Sequence, residues 1–188
     1  MDFSVVSYLD KVTSLRIRTL QEALSEITGS KSALASWEPH LTLGDGISID
    51  EKDLTTLLDL CARIAKVVQP FQIHLSGFGS VESRLSGVGE VSTKYAIWVN
   101  VVPDPGLLSV VNEWSRASSN FRKWYRMPVP YHPHVTLAFR DLDKEGFYGG
   151  LRYLQDKKCD LFTDITNFSI VQRLKNTDAE YRRFELGS

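Results

Sequence analysis

Cysteine is scarce in this chain: two residues, Cys61 and Cys159, among 188. So few exclude a disulfide framework, and their isolation gives no metal-ligand spacing. A single bridge between them stays open, although such usage is that of reduced thiols in a cytoplasmic protein. An excess of one charge is also missing. Lys and Arg number 22 against 23 Asp and Glu, so the surface as a whole will not coat nucleic acid and any anion site must be local. No apolar run approaches the length of a membrane span. The opening MDFSVVSYLD lacks the basic segment of a signal peptide. The expectation is a cytoplasmic protein without membrane attachment. Residues 1–188 are expected to form one domain of two lobes, long enough to bury a core.

Histidine is scarce too, with four in the chain, yet two of them stand in nearly identical peptides. PHLTL at Pro39–Leu43 returns as PHVTL at Pro133–Leu137. By average composition, a histidine is followed by aliphatic–Thr–aliphatic roughly one time in a hundred, so two such hits among four are not chance. In an extended strand, residues two apart share a side. His40 and Thr42 therefore project to one face with Leu41 and Leu43 behind them, and His134 and Thr136 repeat the arrangement over Val135 and Leu137. Two such strands can bury their aliphatic residues and present two imidazoles and two hydroxyls to a shared cleft.

The intervening pattern alternates strands and helices. Phe3–Leu9 reads as a strand. From Asp10 a helix follows, with Val12, Leu15, Ile17, Leu20, Leu24 and Ile27 as its apolar stripe and Gly29 as its end. The first motif strand closes at Gly44–Gly46. Ser48 or Asp50 caps a second helix, which buries Leu54, Leu57, Leu58, Cys61, Ile64, Ala65 and Val68 and stops at Pro70. Strands at Phe71–Phe78, Val81–Glu82 and Ala96–Val102 come next, then a helix reaching Ser118 or Ser119. Asn120–Pro130 reads as a loop and Val135–Phe139 as the second motif strand. A helix over Asp143–Lys157 and strands at Ile165–Leu174 and Glu180–Leu186 complete the chain, with a turn at Asn176–Asp178. The order β-α-β-α-β-β-α-β-α-β-β fits a duplicated module: an α+β fold of two pseudo-symmetric antiparallel sheets around a central cleft, helices outside.

Imidazole titrates near neutrality, so one histidine can accept a proton while a second donates one. Opening a cyclic phosphate needs such a pair, one to activate water and one to protonate the departing ribose oxygen. Threonine hydroxyls, stiffened by β-branching, suit the non-bridging phosphate oxygens. PHLTL, PHVTL, the longer stretch YHPHVTLAF at Tyr131–Phe139 and the strand–turn–strand at Phe168–Phe184 resemble the two-histidine (2H) phosphoesterase superfamily. That group includes 2′-5′ RNA ligase-like proteins and cyclic nucleotide phosphodiesterases. The resemblance implies a two-lobed fold and metal-independent chemistry with no cofactor. It also implies nucleotide or RNA-end substrates carrying 2′,3′-cyclic phosphate or 2′-5′ linkages, and no stable protein partner. It places His40, Thr42, His134 and Thr136 at the catalytic positions and Tyr131 at the aromatic position before the second motif.

Other features are less specific. Arg116, Arg122, Lys123, Arg126 and Arg140 form a basic stretch without an acidic residue, interleaved with Trp124, Tyr125 and Tyr131. That composition suits phosphate contact and base stacking, with Arg126 and Tyr131 the candidate substrate-binding residues; the alternative is a solvated loop with aromatics in the core. Trp37 either flanks the cleft or joins the core. His74 lies opposite Phe71, Ile73 and Leu75, as a surface or secondary cleft histidine. His40, His132 and His134 as zinc ligands would leave the paired threonines unexplained. Two further alternatives are a ligase running the same chemistry toward joining, and a nucleotide-binding module with little turnover.

Overall fold

The computed structural model describes residues 1–35, 37–86, 91–118, 123–124, 131–174 and 178–188. Their elements are β1 (Asp2–Tyr8), α1 (Lys11–Thr28), α2 (Ser32–Ala35), β2 (His40–Ser48), α3 (Leu54–Val67), β3 (Phe71–Ser86), β4 (Val91–Val102), α4 (Pro105–Ser118), β5 (Lys123–Trp124), β6 (His134–Ala138), α5 (Lys144–Leu154), β7 (Asp160–Ile165), β8 (Asn167–Arg173) and β9 (Ala179–Glu185). The strands form two antiparallel sheets, ordered β5-β2-β1-β8-β9 and β6-β4-β3-β7. We call them the first and second sheets. Each holds one histidine motif, and the two motif strands, β2 and β6, lie against each other where the sheets meet. The α+β fold with paired antiparallel sheets is as the sequence pattern predicts.

Alternation within the motif strands fixes which face is buried. Leu41, Leu43, Val135 and Leu137 are at most 1% exposed, whereas His40, Thr42, His134 and Thr136 are half-buried on the opposite side. Burying such aliphatic side chains contributes roughly 1.5–3 kcal/mol each, so a one-residue slip that turned the histidines inward would be strongly opposed. The helices cover the other faces in an exchanged manner. α1, which connects β1 to β2, packs on β6 and β7 of the second sheet beside α5. α4, which connects β4 to β6 by way of β5, packs on β2 of the first sheet beside α3, with Trp114 edge-on to Phe168 of β8.

Several sequence expectations need correction. Val12, Leu15 and Ile27 are exposed, and the buried face of α1 runs through Thr13, Ile17, Gln21, Leu24 and Ser25. Two of its polar members are held by hydrogen bonds. Thr13 Oγ1 donates to Asp10 Oδ2 at 2.8 Å, and Gln21 Nε2 donates to the Thr136 carbonyl at 2.9 Å. Gly44–Gly46 does not end the first motif strand. β2 continues to Ser48 with register shifts against β1 and a left-handed Gly46 (φ 68°), so the glycines bend the strand rather than stop it. The strand expected at Ile165–Leu174 is β8, and a strand the sequence reading did not include, β7, precedes it. β7 pairs with β3 and β8 with β1, so the chain changes sheets at Thr166. β7 was obscured by Asp160 and Asp164, which interrupt an apolar signal on its exposed face. The short α2 and β5 carry too few residues for a periodic signal. At α1 the ends were legible: the Asp10 side chain caps the Val12 and Thr13 amides, and Gly29 closes the helix at φ 75°. Both cysteine thiols are buried and free. No helix among the described residues is long and apolar enough to cross a membrane.

Candidate active site

Each motif histidine is fixed by the peptide that precedes it. His40 Nδ1 lies 2.8 Å from the Glu38 carbonyl oxygen, and His134 Nδ1 lies 2.8 Å from the His132 carbonyl oxygen. A carbonyl only accepts, so both Nδ1 atoms carry hydrogen and both Nε2 atoms are left for other work. The proline between carbonyl and histidine restrains the intervening backbone, which explains why Pro39 and Pro133 belong to the motif.

The threonines are held by a second matched pair of bonds. Tyr131 Oη donates to the Thr42 carbonyl at 2.8 Å, and Gln21 Nε2 donates to the Thr136 carbonyl. Each motif strand thus has its threonine carbonyl engaged by a side chain from outside its own sheet ladder. The two hydroxyls themselves have no protein partner among the described residues.

Burial holds the His40 imidazole below its ordinary range. The Glu38 hydrogen bond and the Asp45 charge oppose that shift, while His134 adds to it. Burial likewise lowers His134, opposed by its bond to the His132 carbonyl and reinforced by the neighbouring His132 ring. Both shifts favour the neutral ring in the free protein. An aromatic side chain accompanies each. Tyr8, opposite His40 in β1, is edge-on to it at 6.5 Å, and Trp98 of β4 tilts against His134 at 5.1 Å. Trp98 Nε1 donates to Asn100 Oδ1, and Gly79 leaves the room it needs: a Cβ there would fall 2.4 Å from the indole nitrogen.

A cavity of about 220 Å³ opens beside His40, Thr42 and Thr136. Trp37 and Phe139 line it, as do Ser4, Asp45 and Arg173, where Arg173 binds Asp45 at 2.5 Å and Ser4 Oγ at 2.8 Å. Arg140 lies at the rim, its guanidinium 4.8 Å from the Phe139 ring and without an acidic partner among the described residues. Its backbone is left-handed (φ 60°), and the Asp141 amide donates back to Phe139 O at 2.8 Å. That positive-φ γ-turn costs about 1–3 kcal/mol and aims a cation at the cavity. Asp141 anchors the turn. Burial raises its carboxyl, but hydrogen bonds from Ser30, Lys31 and Ser32 outweigh this and bring it to about 2.

The structure thus brings His40, Thr42, Thr136, Trp37 and Arg140 to one cavity, with His134 on the adjoining strand. Tyr131, half-buried, gives its hydroxyl to the Thr42 carbonyl. Arg126, with Arg122 and Tyr125, lies outside the described residues. Arg116 pairs with Glu113. His74 stays apart, bonded to Asp160 at 2.6 Å and stacked on Phe162. No group of three or more His, Cys, Asp or Glu side chains suited to a metal is found among the described residues. Gln21, Trp98, Tyr8 and Arg173 were not singled out by the sequence; only Gln21 left a signal there, as a polar residue four positions after Ile17.

The sequence pattern of the 2′-5′ RNA ligase superfamily matches residues 11–177, a span that includes both histidine motifs. The chain belongs to this superfamily. A relative from Oceanobacillus iheyensis, named "Putative phosphoesterase OB1230", is 25% identical over 150 residues, 79% of this chain and 80% of that protein. The superfamily fold recurs in the crystal structure of TT0787 of Thermus thermophilus, with a TM-score of 0.71 and 18% identity over 100% of this chain and 99% of that one. It recurs also in Escherichia coli LigT complexed with 3′-AMP, with a TM-score of 0.67, 18% identity and coverage of 100% and 98%.

Proposed function

We propose that this superfamily member is a phosphodiesterase that hydrolyses 2′,3′-cyclic phosphates or 2′-5′ linkages of nucleotides or RNA ends. The matched pair of Nδ1–H···O=C bonds carries the proposal, because it gives both histidines the same tautomer, with Nε2 free for proton transfer, on neighbouring strands that also hold two unengaged threonine hydroxyls. One neutral Nε2 takes a proton from water as the water oxygen attacks phosphorus. The other histidine, protonated, gives its Nε2 proton to the ribose oxygen as the P–O bond breaks. Thr42 and Thr136 donate to the non-bridging oxygens, and Arg140 adds positive charge at the rim. Both proton transfers are supplied by the imidazoles, so the reaction calls for no metal. The 3′-AMP bound by LigT is consistent with a nucleotide in this cleft.

The test is turnover of the four nucleoside 2′,3′-cyclic monophosphates in EDTA, with His40→Ala and His134→Ala as controls. Release of nucleoside monophosphate, lost by about a hundredfold or more in either variant, is the expected result. Wild-type turnover in His134→Ala would overturn the assignment. Joining of RNA ends by a 5′-hydroxyl in place of water, without hydrolysis, would redirect the reading to a ligase.

A further inference from the structure

The connection from α1 to β2 carries Glu38, whose carbonyl sets the tautomer of His40, yet its only regular structure is the four-residue α2. It is fastened at two points. Near its start, the Asp141 carboxylate accepts from Ser30 Oγ at 2.6 Å and from the Lys31 amide at 2.8 Å. Further along, the Arg18 guanidinium reaches out from α1. It donates to the Ala33 and Leu34 carbonyls at 3.4 Å each and to the Trp37 carbonyl at 3.3 Å. The helix α2 is too short to use these carbonyls itself, and the planar fork of an arginine suits several acceptors on one stretch of backbone. Among the described residues, no side chain other than those of Arg18 and His40 hydrogen-bonds the backbone of residues 33–39.

We infer that Arg18 is a positioning residue for His40: by holding the Trp37 carbonyl it keeps the next carbonyl, that of Glu38, against Nδ1 and so keeps Nε2 free of hydrogen. Glu38 is exposed, so packing does not hold its carbonyl in place. The Trp37 ring gives the same segment a second contact with the histidine, 4.9 Å from the imidazole and tilted by 47°. The two motifs differ in what their own sheets provide. In the second, the Val101 amide donates to the Pro133 carbonyl at 3.2 Å; in the first, the matching bond from the Leu9 amide to the Pro39 carbonyl is 3.5 Å. A bond that long holds little, and Arg18 supplies from a helix what the sheet supplies less firmly. The inference deepens the phosphodiesterase reading and rests on it for the effect on rate, though not for the effect on the ring.

The experiment is long-range proton–nitrogen NMR of the imidazoles in the intact chain at pH 8 without substrate, which reports the nitrogen that carries hydrogen. In the wild type, His40 and His134 are both expected as Nδ1–H. Arg18→Met keeps the aliphatic stem and removes the donors, so His40 should sample both tautomers while His134 is unchanged. On a cyclic mononucleotide its kcat should fall about tenfold or more, with KM within about threefold of wild type. Asp10→Ala, which removes the cap at the start of α1, is the control for a loosened helix: it should lower the melting temperature and move neither ring. Where Arg18→Met does not fold, Arg18→Gln, polar but too short to span the three carbonyls, gives the same reading. A His40 that keeps Nδ1–H without Arg18, or loses it equally in Asp10→Ala, would overturn the positioning role and leave the hydrolase standing. The tautomer change in a chain that turns over no cyclic phosphate would keep the role and remove the hydrolase.

Discussion

The pH dependence of turnover is the sharpest consequence of the paired histidines. Both imidazoles are held below the ordinary histidine value of about 6.5, chiefly by burial. Catalysis needs one protonated and one neutral ring, a state most populated between the two values. For the free enzyme, reported by kcat/KM, the bell should therefore lie entirely on the acid side, with its alkaline limb below pH 6.5. An anionic phosphate beside the rings favours their charged forms by about 1–3 pH units. The alkaline limb of kcat should then lie at least about one unit above that of kcat/KM. Initial rates on a cyclic mononucleotide between pH 4 and 9, fitted separately for the two parameters, measure both. A kcat/KM alkaline limb above pH 7, or coincident limbs, would refute the reasoning. The same shifts act on stability. The unfolded chain binds protons more readily at these sites, so their contribution is complete above pH 6.5 and erodes as pH falls through 6.5 toward the folded values.

Two other outcomes test the supports around the rings. Tyr131→Phe removes the bond to the Thr42 carbonyl and should destabilise the protein by about 1–3 kcal/mol in urea titrations, with kcat lowered more than KM is raised. Arg140→Gly should raise the melting temperature, because glycine adopts φ 60° without strain, and should raise KM for anionic substrates several-fold. A variant that is both less stable and equally tight would show that the Arg140 turn serves packing alone.

The candidate site was legible because its chemistry is local. Two residues apart on a strand means one face, and a histidine after proline can be read wherever it falls. The supporting residues were not legible for the opposite reason. Trp98 reaches His134 through a β4–β6 register, and Arg173 reaches Asp45 across sheet neighbours far apart in sequence. Neither pairing leaves a mark in either segment. Gln21 is intermediate: its place among Thr13, Ile17 and Leu24 is readable at helical spacing, but periodicity favoured Val12 and Leu15, which the structure leaves at 62% and 61% exposure. Hydrophobicity chose the wrong stripe because the true one pairs two of its polar members with backbone and carboxylate acceptors.

The exchange of α1 and α4 between the sheets bears on how far the two sheets depend on each other. α1, grown between two strands of the first sheet, roofs part of the second, and α4, which leaves β4 of the second sheet, packs on the first. Severed from its counterpart, either sheet would have a bare apolar surface, so each is complete only with the other. Interlacing also ties the two imidazoles together, because the strands that carry them, β2 and β6, meet where the sheets do.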